Sequence, residues 1–294
     1  MRLPCWLHTT FLADARMNIR IAPLLAHLGR LALVAAASLL LGACAGSPTL
    51  SQDQIAAIVA SPDRSPADRI NDIRRKPADM LAFIGVRPGS VALDVSAARG
   101  YTTELVARAV GSSGKVYGQN APRDASRAAP AQPEGAAAPP VANASTVPAA
   151  PTLAERVRNP ATAHIVPVSR AFEDPAPPEV ASNALDLVTL MFNYHDFGHM
   201  GVDRARMNRA LFNALKPGGL YVIADHSGRP GTGISESGTL HRIEEEFVRQ
   251  EVEAAGFRLV ARGDFMRNPA DPRDRNTPEP PMPKDEFVLK FAKP

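Results

Sequence analysis

Residues 90–110 read SVALDVSAARGYTTELVARAV. Ser90–Val95 is short and apolar, as expected of a parallel strand buried on both faces. Tyr101–Val110 then switches to helical spacing, with Leu105, Val106, Ala109 and Val110 on one side. Small residues, Ser96, Ala97, Ala98 and Gly100, join the two directly. Gly111-Ser112-Ser113-Gly114 stops the helix, and Val116 and Tyr117 begin a second strand.

Outward from this unit the alternation continues. Towards the C-terminus come a helix over Thr152–Arg158, a strand over His164–Val168 and an apolar run over Leu185–Phe192. A helix over Arg204–Leu215, a turn at Lys216–Gly219 and a strand over Leu220–Ala224 follow. His241–Ala255 reads as a helix, and Phe257–Ala261 and Phe287–Phe291 as two late strands around a polar, proline-rich loop, Arg267–Lys284. Towards the N-terminus, Pro77–Ile84 is a helical patch, and Ala45–Pro66 a tether running into short helices. Alternating strands and helices predict an α/β, doubly wound, Rossmann-like sheet with helices on both faces. The division expected is a leader over 1–43, a tether and N-terminal helix over 44–69, and one domain over 70–294.

Two segments stand outside that pattern. Ala121–Pro151 holds 12 alanines and 7 prolines in 31 residues. Prolines at that density prevent a continuous helix or sheet ladder, so a disordered surface insertion is expected. In the leader, Arg16, Arg20 and Arg30 precede the uncharged run Leu31–Leu41. That run is too short to span a bilayer, which takes roughly 20 apolar residues. With Leu41-Gly42-Ala43-Cys44 behind it, the leader resembles a bacterial lipoprotein export signal. The resemblance implies cleavage before Cys44, lipid on Cys44 and residence at the periplasmic face of a membrane. Ala45, rather than a retention-type aspartate, favours the outer membrane.

The leader also explains the charge. It holds four of the 33 basic and one of the 30 acidic residues, leaving 29 of each behind it. A neutral mature chain lacks the footprint of a nucleic-acid binder. Cys5 and Cys44 are the two cysteines, so no disulfide staples the domain.

Ligands of doubly wound sheets bind at the carboxyl ends of the strands. The first end offers Asp94, Ser96, Ala98 and Gly100, where small residues admit a close backbone approach before a helix N-terminus. A plain tight turn is the alternative. The second end offers the amides Gln119 and Asn120 where nucleotide binders place an acid for ribose. The third offers Glu173 beside Asp174. The fourth is Asn193-Tyr194-His195-Asp196-Phe197-Gly198-His199. There His195 is a candidate general base, oriented by Asp196 or Asp225, with His226 opposite. His195 and His199 have the i,i+4 spacing of metal ligands, but Gly198 argues against a regular helix, and no metal is expected. His241 completes a set of four rim histidines.

Several of these segments together resemble one family. They are Arg75-Lys76-Pro77, Gly100-Tyr101-Thr102-Thr103-Glu104-Leu105, Asn193-Tyr194-His195-Asp196, Leu215-Lys216-Pro217-Gly218-Gly219, Asp225-His226, His241-Arg242-Ile243, Glu253-Ala254-Ala255-Gly256-Phe257 and Arg267-Asn268-Pro269. The chain over 70–294 is similar to a bacterial branch of class I S-adenosylmethionine (SAM)-dependent methyltransferases. The resemblance implies their seven-stranded sheet and SAM as methyl donor. It implies cofactor contacts from Asp94, Ser96, Ala98, Gly100, Gln119, Asn120, Glu173 and Asn193. It does not name the acceptor; the rim residues themselves suggest a small molecule deprotonated or oriented by His195, with Asp196 or His226. The family carries glycine at three alternate positions after the acidic residue. Here Ser96 and Ala98 occupy two of them. The competing expectation is a non-catalytic ligand-binding lipoprotein on a degenerate version of the fold.

Overall fold

Parallel strands covered on both faces must be apolar on both sides, and the five parallel strands here meet that demand in their central members. The computed structural model describes residues 48–122, 149–278 and 281–294. The leader, Cys44 and most of the Ala/Pro-rich insertion lie outside the described residues. β1 (Val91–Val95), β2 (Lys115–Asn120), β3 (Ile165–Ser169), β4 (Leu185–Met191) and β5 (Leu215–His226) run parallel. β7 (Glu286–Ala292) lies antiparallel between β5 and β6 (Arg258–Gly263). The sheet order is β3-β2-β1-β4-β5-β7-β6. This is the doubly wound, Rossmann-like sheet with helices on both faces that the sequence predicts.

Alternation along the strands feeds two cores. Leu93 and Val95 of β1 pack on one face with Met207 and Leu211 of α7 (Arg204–Ala214) and Val248 and Val252 of α8 (Glu245–Ala254). Ala92 packs on the other with Met80, Leu81 and Ile84 of α3 (Pro77–Ile84) and Leu105 and Val106 of α4 (Tyr101–Val110). Among the described residues no helix is long and apolar enough to cross a membrane.

Four features differ from expectation. α1 (Gln52–Ala60) belongs to the folded unit, because Ile55 is buried in the α3–α4 core. α2 (Pro66–Arg75) runs straight across the expected division at 69/70. Its inward contact is ionic: Asp68 is buried and takes a bidentate pair from Arg156 of the single-turn α5 (Leu153–Arg156). The Lys-Pro-Gly-Gly turn survives as an irregularity inside β5. The β4 partner shifts there from Leu215 to Leu220 within two residues, and Gly218 takes φ +77°. Finally, His241 does not begin a helix. α8 starts at Glu245, and Ile243 instead bridges to Ser227 in extended conformation. Burial of Arg242 and Ile243 outweighs the helical spacing of that stretch.

Candidate functional site

The sheet order reverses between β1 and β4, which opens a crevice at their carboxyl ends. The β1–α4 loop enters it. Ser96, Ala98 and Gly100 have φ of +56°, +50° and +85°, so the left-handed conformations usual for glycine persist at all three alternate positions. Each non-glycine residue held this way costs roughly 1–2 kcal/mol. At Gly100 the requirement is also steric: a Cβ would stand 2.5 Å from Leu153 Cδ2.

What holds Ser96 and Ala98 in place is the end of β2. Gln119 Oε1 accepts from Ser96 N–H at 3.0 Å, and Gln119 Nε2 donates to the Arg170 carbonyl at 2.7 Å. Asn120 Oδ1 accepts from Ala98 N–H and Asn120 Nδ2 donates to the Ala98 carbonyl, at 2.8 and 3.1 Å. The amides expected to reach a ribose are therefore spent on the loop backbone. Asp94 is corrected in the same way. It is buried, and its carboxylate accepts from the hydroxyls of Thr103 and Thr189 at 2.6 and 2.7 Å, bracing α4 and β4. Burial raises its pKa to about 6 against the pull of both hydroxyls. Glu173 accepts from Asp203 N–H at 3.3 Å near the start of α7, and Asn193 Nδ2 donates weakly to the Met191 carbonyl at 3.4 Å.

Across the crevice, the structure gathers the histidine rim. β4 ends at Met191, the chain turns through Phe192 at φ +62°, and the single-turn α6 (Asp196–His199) follows. Asp225 of β5 accepts from the His195 backbone N–H at 2.7 Å and from Nδ1 of its ring at 2.6 Å. His195 Nε2 faces Asp196 Oδ1 at 3.0 Å, and His241 Nδ1 faces the same oxygen at 2.9 Å. His195 lies 5.3 Å from His226 and 5.6 Å from His241 between ring centroids, and His199 lies 5.6 Å from His241. Both orienting carboxylates named from the sequence thus flank His195 at once.

That double flanking overturns one role. Burial alone would lower the His195 pKa. The Asp225 carboxylate and the hydrogen bonds to Asp196 and Asp225 outweigh it and raise the pKa to about 9. With both ring nitrogens turned to carboxylates and the charged form favoured, the ring is a poor general base. Burial drives His226 the other way, well below the ordinary histidine value, with Lys284 next in effect. His226 stays neutral.

A rim residue missed in the sequence is Glu286. β7 runs antiparallel, so its first residue pairs with His226, the last of β5. Glu286 Oε1 lies 3.0 Å from His226 Nδ1, though no aligned hydrogen bond forms. Its surroundings are Arg74 and Arg75 of α2, Asp225 and His226 of β5, and Lys284 before β7. Burial raises its pKa from 4.5 to about 7; Arg75, Arg74 and Lys284 oppose this and Asp225 reinforces it. A raised carboxyl pKa means the native state keeps a proton that the unfolded state has lost, so stability falls as pH rises from 4.5 to about 7. Glu286→Gln is expected to melt higher relative to wild type as pH goes from about 5 to about 8, by up to about 3 kcal/mol. The difference between the two proteins isolates Glu286, because His226 titrates in both. A melting difference independent of pH would remove Glu286 from this role.

Beside the rim lies a narrow crevice with a volume of about 20 Å³, walled by Met80, Leu81, Tyr101, Leu105, Met191 and Phe192. The Arg75 guanidinium covers the Phe192 ring at 3.7 Å.

No protein-family model matches the sequence, and no curated protein matches it. Solved structures similar in fold include a SAM dependent methyltransferase from Aquifex aeolicus, at 16% identity over 83% of this chain and 100% of that one, with TM-score 0.49. They also include a SAM dependent methyltransferase from Mesorhizobium loti, at 15% identity over 74% of this chain and 96% of that one, with TM-score 0.47. Fibrillarin from Aeropyrum pernix, in complex with natively bound SAM, is a third, at 16% identity over 70% of this chain and 68% of that one, with TM-score 0.40. At these identities the likeness is one of fold.

Proposed function

We propose that this protein is a SAM-dependent methyltransferase acting on a small-molecule acceptor, exported and anchored by lipid on Cys44. The observation that carries the reading is the β1–α4 loop. Its left-handed residues 96, 98 and 100 lie at the topological switch point of the sheet, and the backbone shape outlasts two of the three glycines. Strain kept in a fold marks a place where shape matters to function. Phe192 and His241, also left-handed, stand on the facing rim.

In this reading SAM lies over the loop and presents its methyl group towards the rim. Methyl transfer depends chiefly on aligning nucleophile, methyl carbon and sulfur, so positioning supplies most of the rate. Asp196, oriented by His195, which is itself fixed by Asp225, holds the acceptor by a hydrogen bond. The proton that the acceptor loses passes to the His226–Glu286 pair, whose carboxyl titrates near 7.

Calorimetric titration with SAM and with its demethylated product tests the donor. Micromolar binding of both is expected, and His195→Ala should slow turnover about 10²-fold or more while leaving SAM affinity nearly unchanged. Unchanged turnover in that variant removes His195 from the mechanism. One observation favours the second reading, a non-catalytic ligand-binding lipoprotein: the Gln119 and Asn120 side chains are oriented by bonds to backbone, to the β1–α4 loop and to the Arg170 carbonyl. Absence of SAM binding, with thermal stabilisation by a non-nucleotide compound, would select it. For the anchor, Cys44→Ala is expected to move the protein from the membrane fraction to the soluble fraction. Retention in the membrane would exclude lipid on Cys44.

A further inference from the structure

His195, Asp196 and His241 come from two separate stretches of chain, yet their ligand-type atoms all lie within 4.8 Å of one another. The same Asp196 oxygen faces His195 Nε2 at 3.0 Å and His241 Nδ1 at 2.9 Å. Ligand atoms about 2.0–2.2 Å from one ion stand roughly 3 Å apart at adjacent coordination positions. Two of the three edges of such a site are therefore already in place. The third closes by a small swing of the partly exposed His241.

We propose that His195 Nε2, Asp196 and His241 Nδ1 bind a divalent transition-metal cation of the zinc type, with open positions towards solvent. Two imidazoles and a carboxylate form a donor set suited to Zn²⁺, Co²⁺ or Ni²⁺ rather than to Mg²⁺ or Ca²⁺.

The surroundings are built for the purpose. Asp225 receives Nδ1–H of His195 at 2.6 Å and the backbone N–H of the same residue at 2.7 Å. That fixes the tautomer and turns Nε2 towards the site, the arrangement in which a carboxylate supports a metal-bound histidine from behind. His241 is held from its own chain. Its φ is +50°, and the next two residues are fully buried. Arg242 among them donates to the Ser227 and Arg275 carbonyls and pairs with Asp271. Ser237 ties the two stretches together, donating to the His195 carbonyl at 2.5 Å and accepting from His199 N–H at 2.9 Å. Gly198 permits that approach, since a Cβ there would meet Ser237 Oγ at 2.7 Å. His199 Nδ1, 4.0 Å from Asp196, is instead engaged with Ser237 Oγ at 3.1 Å. Of the pair that the sequence spacing singled out, His195 belongs to the cluster, and its histidine partner there is His241.

The site shares His195 and Asp196 with the acceptor position proposed above, and its metal affinity is measurable without SAM. Asp196 and His241 keep a quarter to a third of their side-chain surface exposed, so an exogenous ligand reaches the ion from the rim.

The test uses the metal alone. The chelator-treated protein is titrated with Co²⁺, followed by its visible ligand-field absorption, and with Zn²⁺ in a calorimeter. One equivalent is expected to bind with micromolar or tighter affinity, and Zn²⁺ to displace Co²⁺. His241→Ala and the near-isosteric Asp196→Asn are each expected to weaken binding at least 10-fold. His164→Ala, outside the cluster, is expected to leave it unchanged. Melting curves of each variant without metal show which remain folded, and the folded ones decide. No stoichiometric binding by the wild type overturns the proposal. So does binding undiminished in a folded Asp196→Asn or His241→Ala, which would place the ion elsewhere.

Discussion

Arg156→Ala is expected to lower the stability of the domain by about 3–5 kcal/mol, the cost of removing one partner from a buried ion pair. Arg156 is buried, as are Asp68 and Glu104, which both pair with it. Its guanidinium meets Asp68 bidentately at 2.8 and 3.0 Å. Truncation leaves buried Asp68 without a cation and Glu104 with Arg108 alone, and that penalty exceeds what the pair itself contributes. For a domain of this size the loss corresponds to a fall in melting temperature of roughly 10 °C or more. A second effect should accompany it. Arg156 Nε also donates to the Arg99 carbonyl at 2.7 Å, so the variant loosens the loop after β1. Thermal melting measures the first effect, and amide hydrogen exchange over residues 96–100 the second. A melting temperature within a few degrees of wild type would show that water reaches Asp68 and Glu104. Lysine at 156 is expected to recover part of the loss, since it keeps the charge but not the fork.

Asp225→Asn is the second substitution of large expected effect. Asp225 is fully buried and accepts from two backbone N–H groups, of His195 and His226, and from the His195 ring. An amide oxygen replaces only part of that, and the new NH₂ points at groups that are themselves donors. Hydrogen bonds to a charged group contribute about 1.5–3 kcal/mol each, so a loss of about 2–4 kcal/mol is expected. The His195 pKa should fall at the same time, because its nearest carboxylate is gone. Melting curves and the ring-proton titration of His195 by NMR measure the two effects. A His195 pKa still near 9 would assign the shift to Asp196 instead.

These residues mark the limit of what the sequence discloses. Strands and helices whose buried side is apolar were legible, because burial leaves a periodic trace. Ala92, Leu93 and Val95, or Met80, Leu81 and Ile84, show it directly. α2 left no such trace. Its buried residue is Asp68, whereas its isoleucines, Ile70 and Ile73, are 54% and 83% exposed. A helix docked by an ion pair inverts the hydrophobic pattern. At the rim, His195, Asp196, Asp225 and His226 could be grouped because each lies at or just beyond the carboxyl end of a parallel strand. Glu286 could not, because it lies at the amino end of its strand. Only the antiparallel course of β7 carries it to the same edge. The role of Gln119 and Asn120 was hidden for another reason: residue type shows that an amide can bond, and only geometry shows to what.

That clamp ties two positions together. Asn120 serves both the N–H and the carbonyl of Ala98, which takes a group that accepts and donates together. Aspartate at 120 would lose the donor and set a carboxylate against the Ala98 carbonyl. It becomes tolerable once that peptide turns away, and glycine at 98 is the residue that frees it to turn. Asn120→Asp alone is therefore expected to destabilise the domain, and Ala98→Gly added to it to recover part of the loss.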